Sequence, residues 1–400
     1  MTSSHPGHRS TASLRRHRSF FTVDDVDPTE LETLIDTVTP ADAYPNAEAI
    51  ENEVVVYDMA IMRTPEERRA VIEELAHVFS DGPGVVVMRN AVDVEVVDRA
   101  TAEFTKIIEA EKAAGAAKGD HFAAPGANER VWNALEKLAV AAPEVFVDYY
   151  AFDALEIAST AWLGPAYQVT SQLNVVNPGG VAQSPHRDYH LGFMTDAQAE
   201  RYPTHAHLLS PMLTLQGAVA HVDMTPESGP TMLLPHSHRW GPGYLGWRQP
   251  AVIDLFTRRH VQPELRKGDA AFFNPAVFHG AGTNHTAGPS AVKRMGNLLQ
   301  ISSAMGIALE AVDRDRMCRA VLPALQARRV AGWPIEQLDR TIAATAFGYP
   351  FSTNLDLDPP IDGLAPPSQA DVLREAVLDG WSETELADAL DAYQDRRRTH

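Results

Sequence analysis

Gln183-Ser184-Pro185-His186-Arg187-Asp188-Tyr189-His190 is the stretch on which the reading of this chain turns. In an extended segment, side chains at i and i+2 leave the same face. His186 and Asp188 would then aim an imidazole and a carboxylate at one spot. A third ligand, with open positions left over, would complete the two-histidine, one-carboxylate set that holds ferrous iron. His279 is the candidate, in Phe272-Phe273-Asn274-Pro275-Ala276-Val277-Phe278-His279-Gly280. A His-x-Asp alone is common on solvated loops, so its meaning depends on the residues around it.

Those residues read as short strands punctuated by Pro/Gly turns, from about Tyr167 to Ser303. Gln168–Val176 is followed by Asn177-Pro178-Gly179-Gly180 and then by the His186 stretch. Pro211 to Val222 reads as a long strand, with Leu213, Leu215, Gly217, Val219 and His221 on one face. Thr231–Leu234 follows the turn Glu227-Ser228-Gly229-Pro230. Ala270–Asn274 and Asn297–Ser303 complete the set. Helix-length segments do not separate most of these strands, so a jelly roll fits and an alternating α/β sheet does not.

Arg294 enters the apolar run Asn297-Leu298-Leu299-Gln300. A guanidinium grips a carboxylate through two parallel hydrogen bonds, and a buried one needs such a partner. Arg294 is therefore the candidate anchor for a dicarboxylate, against the plainer reading of a surface arginine. The adjacent Lys293 should face the other way.

These residues resemble the phytanoyl-CoA dioxygenase-like family of Fe(II)/2-oxoglutarate-dependent oxygenases. The resemblance covers roughly 167–303. It is carried by His186-x-Asp188, the upstream strand Ser171-Gln172-Leu173-Asn174, Glu227-Ser228-Gly229-Pro230 leading to Pro235-His236-Ser237-His238, Pro275…His279 and Arg294. It implies an α+β fold with a double-stranded β-helix (jelly-roll, cupin-like) core and flanking helices. It also implies Fe(II) on His186, Asp188 and His279, with 2-oxoglutarate and O2 as cosubstrates. Arg294 would hold the distal carboxylate of 2-oxoglutarate, with Asn174 and then Gln172 reaching it from the first strand. Two departures stand out. The segment between His279 and Arg294 is longer than in typical relatives. Ala281 replaces a frequent serine, leaving Thr283 to make that hydrogen bond. The carboxylate of Asp188, where chain-halogenating relatives carry a small residue, argues for hydroxylation of a C–H bond, although desaturation or ring formation would need no different ligands.

Around this site, Arg187 and Tyr189 should face away from the metal, while His190 and Phe193 could line the entrance. Trp240, Tyr244 and Trp247 form an aromatic Gly/Pro loop, read either as a substrate lid, with Trp240 and Trp247 as candidate substrate contacts, or as core packing. Gln216 and His221 are core or pocket depending on which face is inward. His236 and His238 read as fixing a turn.

The rest of the chain frames this core. Residues 1–20 carry four arginines and no acid and read as a disordered basic tail. Residues 21–166 read as a mainly helical part packed on the barrel, 167–303 as the catalytic core, and 304–400 as a helical extension. Thr64-Pro65-Glu66-Glu67 reads as a helix start, with Val71, Leu75, Val78 and Phe79 at helical spacing. Residues 115–127 read as a loop, Glu144 to Leu163 as one helix, and Ala308–Arg328 as another.

A net charge of −19 argues against nucleic acid as partner and mildly against an acyl-CoA ester. It allows a neutral or cationic small molecule. No apolar run is long enough for a membrane helix. The single cysteine, Cys318, excludes a disulfide framework and fits a reducing, cytoplasmic setting. Two other readings use the same residues. One is a cupin-like, non-redox metal-dependent isomerase or hydrolase. The other is a non-catalytic binding protein on the oxygenase scaffold.

Overall fold

The computed structural model describes residues 18–61, 64–115 and 128–399. Most of the expected basic tail and the 115–127 loop lie outside them. Residues 18–20 are not a loose end: Ser19 O accepts from Thr204 N at 2.9 Å, and Phe20 bridges Pro203.

Among the described residues, ten strands make two sheets: β1 (Ala49–Glu51), β2 (Val54–Asp58), β3 (Val85–Arg89), β4 (Asn128–Val131), β5 (Gln168–Val176), β6 (Thr214–Ala220), β7 (Thr231–Leu234), β8 (Ala270–Phe273), β9 (Phe278–Ala281) and β10 (Arg294–Ser302). The major sheet runs β1-β2-β3-β8-β6-β10-β5-β4, and the minor sheet pairs β7 with β9. All pairings are antiparallel except β2–β3. This is the α+β, double-stranded β-helix arrangement expected of the residues.

The sheet begins well before residue 167. Four of its eight strands come from residues 49–131, so that stretch supplies half of the sheet rather than a helical layer on a finished barrel. β1 and β2 form a hairpin around Asn52 and Glu53, both at positive φ (50° and 65°). Two left-handed central residues are what a two-residue hairpin turn needs. Val54-Val55-Val56 carries no alternation because both its faces are buried. Val55 packs outward under the helices, while Val54 and Val56 fill one end of the barrel.

The helices cover the outer face of the major sheet. Thr64 caps the helix Pro65–Ser80, and Val71, Leu75, Val78 and Phe79 on that helix are buried. The expected single helix 144–163 is broken into Pro143–Tyr149 and Asp153–Leu163. Consecutive helical residues point about 100° apart. The break lets Tyr149, Tyr150 and Phe152 all bury. The expected strand 211–222 is shorter, because residues 210–213 form a 3-10 turn. The helix expected from Ala308 begins at Arg314, capped by Asp313, and 304–312 is a loop beside the barrel. Cys318 lies on the buried face of this helix, and burial pushes its thiol up.

The outer face of the minor sheet is closed by helices Pro28–Ile35 and Pro250–Arg259. Leu31, Ile35, Val252, Leu255 and Phe256 pack there on Leu234 and Phe278.

Candidate active site

His186 and His279 face each other as a backbone pair. His186 N donates to His279 O at 2.9 Å, and His279 N donates to His186 O at 3.1 Å. This bridge adds the His186 stretch to the minor sheet beside β9 and brings two distant segments to one point. Asp188, two residues on, reaches between the rings: its Oδ1 is 3.6 Å from His186 Nε2 and its Oδ2 3.4 Å from His279 Nε2. The three ligand atoms lie within 4.8 Å of one another.

The backbone sets the tautomers. His186 Nδ1 is 2.9 Å from Ser184 O, and His279 Nδ1 is 2.9 Å from Val277 O. A carbonyl only accepts, so each Nδ1 carries the proton and each Nε2 lone pair faces the shared point. Gln216 Nε2 donates to Asp188 Oδ2 at 2.6 Å. Burial alone would raise the Asp188 carboxyl, but His279, His186 and the Gln216 hydrogen bond hold it well below the usual range. Burial and the neighbouring His279 lower His186. The donor set is two imidazole Nε2 atoms and one carboxylate, which fits a divalent metal such as iron.

The triad lines a cavity of about 900 Å³ inside the barrel. Arg294, at the start of β10, lines the same cavity and is buried. Its Nη1 donates to Ser228 O at 3.0 Å and to Gly282 O at 3.2 Å. Gly229 at φ +69° makes the turn that presents Ser228 O. A Cβ there would sit 2.3 Å from Thr283 O. Among the described residues no carboxylate forms an ion pair with Arg294, and burial lowers it to about 10. A buried cation met only by carbonyls is a ready seat for a carboxylate. Asn174 and Gln172 line the cavity, and among the described residues Asn174 Oδ1 is buried without a partner.

Other expectations are corrected. Thr283 does not line the cavity, because its Oγ1 accepts from Ala182 N at 2.9 Å. His190 also lies outside the lining. Positive φ at Tyr189 (63°) and His190 (40°) turns the chain away, and His190 Nδ1 meets Ser210 Oγ at 3.1 Å. Trp240 is core, packed with Leu31, Val252 and Phe278. Phe193 and Trp247 do line the cavity. Arg187 points away from the triad: its Nη2 donates to Ser237 O at 2.6 Å and Trp240 O at 3.0 Å, between the Tyr244 and Phe278 rings. Tyr189 likewise turns aside to bond Gln300. His236, at φ 65°, and His238, 3.0 Å from Ser80 O, fix the turn after β7.

Gln216 proves to face the cavity and His221 the helices. Arg130, Trp132, Gln300, Leu309 and Glu310 also line the cavity, and reading the sequence did not find them. Only the alternation along β10 from Arg294 could have pointed to Gln300; Arg130 and Glu310 come from segments with no motif.

The phytanoyl-CoA dioxygenase (PhyH) family matches residues 80–292, more than half of the chain, and the protein belongs to that family of iron- and 2-oxoglutarate-dependent oxygenases. A curated relative is Dioxygenase trt7 of Aspergillus terreus, 35% identical over 109 residues. The match covers 27% of this chain and spans only 32% of trt7. Among solved structures, the 2-oxoglutarate-dependent epimerase SnoN from nogalamycin biosynthesis is 19% identical with a TM-score of 0.39, over 59% of this chain and 84% of SnoN. HygX from Streptomyces hygroscopicus, solved with nickel, 2-oxoglutarate and hygromycin B, is 16% identical with a TM-score of 0.41, over 60% of this chain and 90% of HygX. No described helix is long and apolar enough to cross a membrane.

Proposed function

We propose that the protein hydroxylates an unactivated C–H bond of a small molecule, coupled to decarboxylation of 2-oxoglutarate to succinate and CO2. His186, Asp188 and His279 are the residues that would hold Fe(II). Arg294 would hold the distal carboxylate of 2-oxoglutarate, with Asn174 and Gln172 as polar neighbours. The observation that carries this reading is a buried Arg294, unpaired with any described acid, in the same cavity as two Nε2 lone pairs and a carboxylate. Iron with oxoglutarate and O2 supplies the oxidant when bound.

The chain's own residues do the positioning. The Ser184 and Val277 carbonyls hold both imidazoles in the ligating tautomer. Gln216 steadies the carboxylate, and its other atom, Oε1, is buried without a partner. Phe193 and Trp247 present apolar surface against which a substrate excludes water. The carboxylate of Asp188 favours return of oxygen to the substrate over transfer of a halide. Arg294 argues against the non-redox cupin and binding-protein readings, neither of which calls for a buried dicarboxylate anchor.

The test is anaerobic titration with Fe(II) and 2-oxoglutarate, watching the visible metal-to-ligand charge-transfer band. The band should form in the wild type and vanish in His186→Ala. Metal bound without a band would replace this reading by a non-redox one, and no metal binding would leave a binding protein.

A further inference from the structure

Two charged residues on the cavity wall, Arg130 and Glu310, have no assigned task in holding metal or oxoglutarate. Arg130 on β4 donates from Nη1 to Gln172 Oε1 at 3.1 Å, and its guanidinium lies over Trp132 at 4.9 Å. Glu310 reaches the same wall from the loop after β10. Its Oε1 accepts from Asn133 N at 2.8 Å. Its Oε2 is buried with no hydrogen bond of ordinary geometry among the described residues, although the Gln172 side-chain amide lies near enough to favour the charged carboxylate. Burial raises the Glu310 carboxyl. The Asn133 N–H, the nearby Gln172 amide, Lys137 and Arg130 only partly offset this. The same cavity also has apolar lining, including Phe193, Trp247, Leu298 and Leu309.

A buried carboxylate oxygen without a donor is costly unless a ligand supplies one. The donor could be charged or neutral, and Arg130 decides between them. Its positive charge, with that of Lys137, acts on Glu310, so a ligand ammonium brought to Glu310 would meet repulsion as well as attraction. A carboxylate or phosphate would meet Glu310 itself. A neutral hydroxyl meets neither objection.

We infer that Glu310 determines substrate specificity by accepting a hydrogen bond from a neutral hydroxyl group on an otherwise apolar small molecule. The bond fixes one end of the molecule, while Phe193, Trp247 and Leu309 hold its apolar body. This inference rests on reading the cavity as the oxygenase active site.

The experiment compares four probes with one apolar ring and different head groups: cyclododecanol, cyclododecanone, cyclododecylamine and cyclododecanecarboxylate. Each is titrated calorimetrically into anaerobic protein loaded with Fe(II) and 2-oxoglutarate, as wild type and as E310Q. In the wild type, cyclododecanol should bind roughly tenfold tighter than cyclododecanone, the value of one hydrogen bond to a charged acceptor. The amine and the carboxylate should bind more weakly than the alcohol. E310Q keeps an oxygen for Asn133 but puts a donor in place of the free acceptor, so the preference for alcohol over ketone should disappear. Equal wild-type affinities for alcohol and ketone would overturn the inference. So would an unchanged ratio in E310Q, tightest binding of the amine or carboxylate, or no binding of any probe. The charge-transfer band is read in the same samples. A missing band with the alcohol preference intact would count against the oxygenase reading alone, and a normal band without the preference against Glu310 alone.

Discussion

The two faces of the β5–β10–β6 layer both meet buried polar residues and use them in opposite ways. On the helix-covered face, Thr101 Oγ1 meets His221 Nδ1 at 2.8 Å, and His221 Nε2 meets the Tyr149 hydroxyl at 2.8 Å. Asn297 Nδ2 donates to the hydroxyls of Tyr149 (3.3 Å) and Tyr150 (3.0 Å), and Tyr150 pairs with Ser171 at 2.9 Å. In that chain only Asn297 Oδ1 lacks a partner. On the cavity face, among the described residues, Arg294 has no acid and Asn174 Oδ1 and Gln216 Oε1 have no hydrogen-bond partner. A polar group closed by its neighbours belongs to stability, and one left open belongs to a ligand. Burial alone would not separate them, since Asn297 and Arg294 are both buried.

The comparison can be broken by substitutions on either face. The largest effect should come from His186→Ala, which removes a ligand. Oxoglutarate turnover should fall more than about a hundredfold, because even outer partners of metal ligands cost roughly 10–100-fold. Succinate formation measures it. Next, Arg294→Ala should raise the 2-oxoglutarate concentration for half-saturation roughly a hundredfold, as expected when one partner of a buried charge pair is removed. Its melting temperature should hold or rise, because the unpaired buried cation is gone. A large loss of stability in Arg294→Ala would mean that the arginine is structural and the contrast between faces is false. Gln216→Ala should weaken Fe(II) binding about tenfold through a looser Asp188, measured by metal titration.

The smallest effects belong to the helix-covered face. Tyr149→Phe should cost about 1–3 kcal/mol by leaving His221 and Asn297 without its hydroxyl, with oxoglutarate saturation unchanged. Chemical denaturation and a saturation curve test the two halves. Acid should act there too. Burial, with Lys267 next, pushes His221 down to about 3 from 6.5. Between those values the unfolded chain binds a proton that the folded chain refuses. Stability should therefore fall as pH drops from 6.5 toward 3, by at most about 1.4 kcal/mol per pH unit from this residue. His238, also pushed to about 3 by burial, adds in the same direction. A denaturation series in which His221→Asn flattens the slope would confirm the source.

The sequence made some of this plain and hid the rest for physical reasons. Pro/Gly punctuation delimited Gln168–Val176, and β5 has those bounds. His-x-Asp carried its geometry locally, because the i, i+2 relation needs nothing from the rest of the chain. His190 misled because alternation was extended past Asp188, where two positive-φ residues end it. β2 was missed because Val54-Val55-Val56 is buried on both faces and so has no period to read. Glu310 was invisible for another reason. Its meaning lies in Asn133 and Arg130, far away in the chain and joined to it only by the folded sheet.

The backbone pair between His186 and His279 has a consequence for how such a protein can change over generations. The triad is held by main-chain hydrogen bonds within the minor sheet, which depend little on which side chains lie elsewhere. Arg130, Trp132 and Glu310 come from an edge strand, the residue after it and a connecting loop. Mutation can therefore rewrite the wall that chooses the molecule while the reactive centre is inherited intact. Diversification then needs only drift in peripheral segments, so two descendants of one ancestor could share a reaction and no substrate.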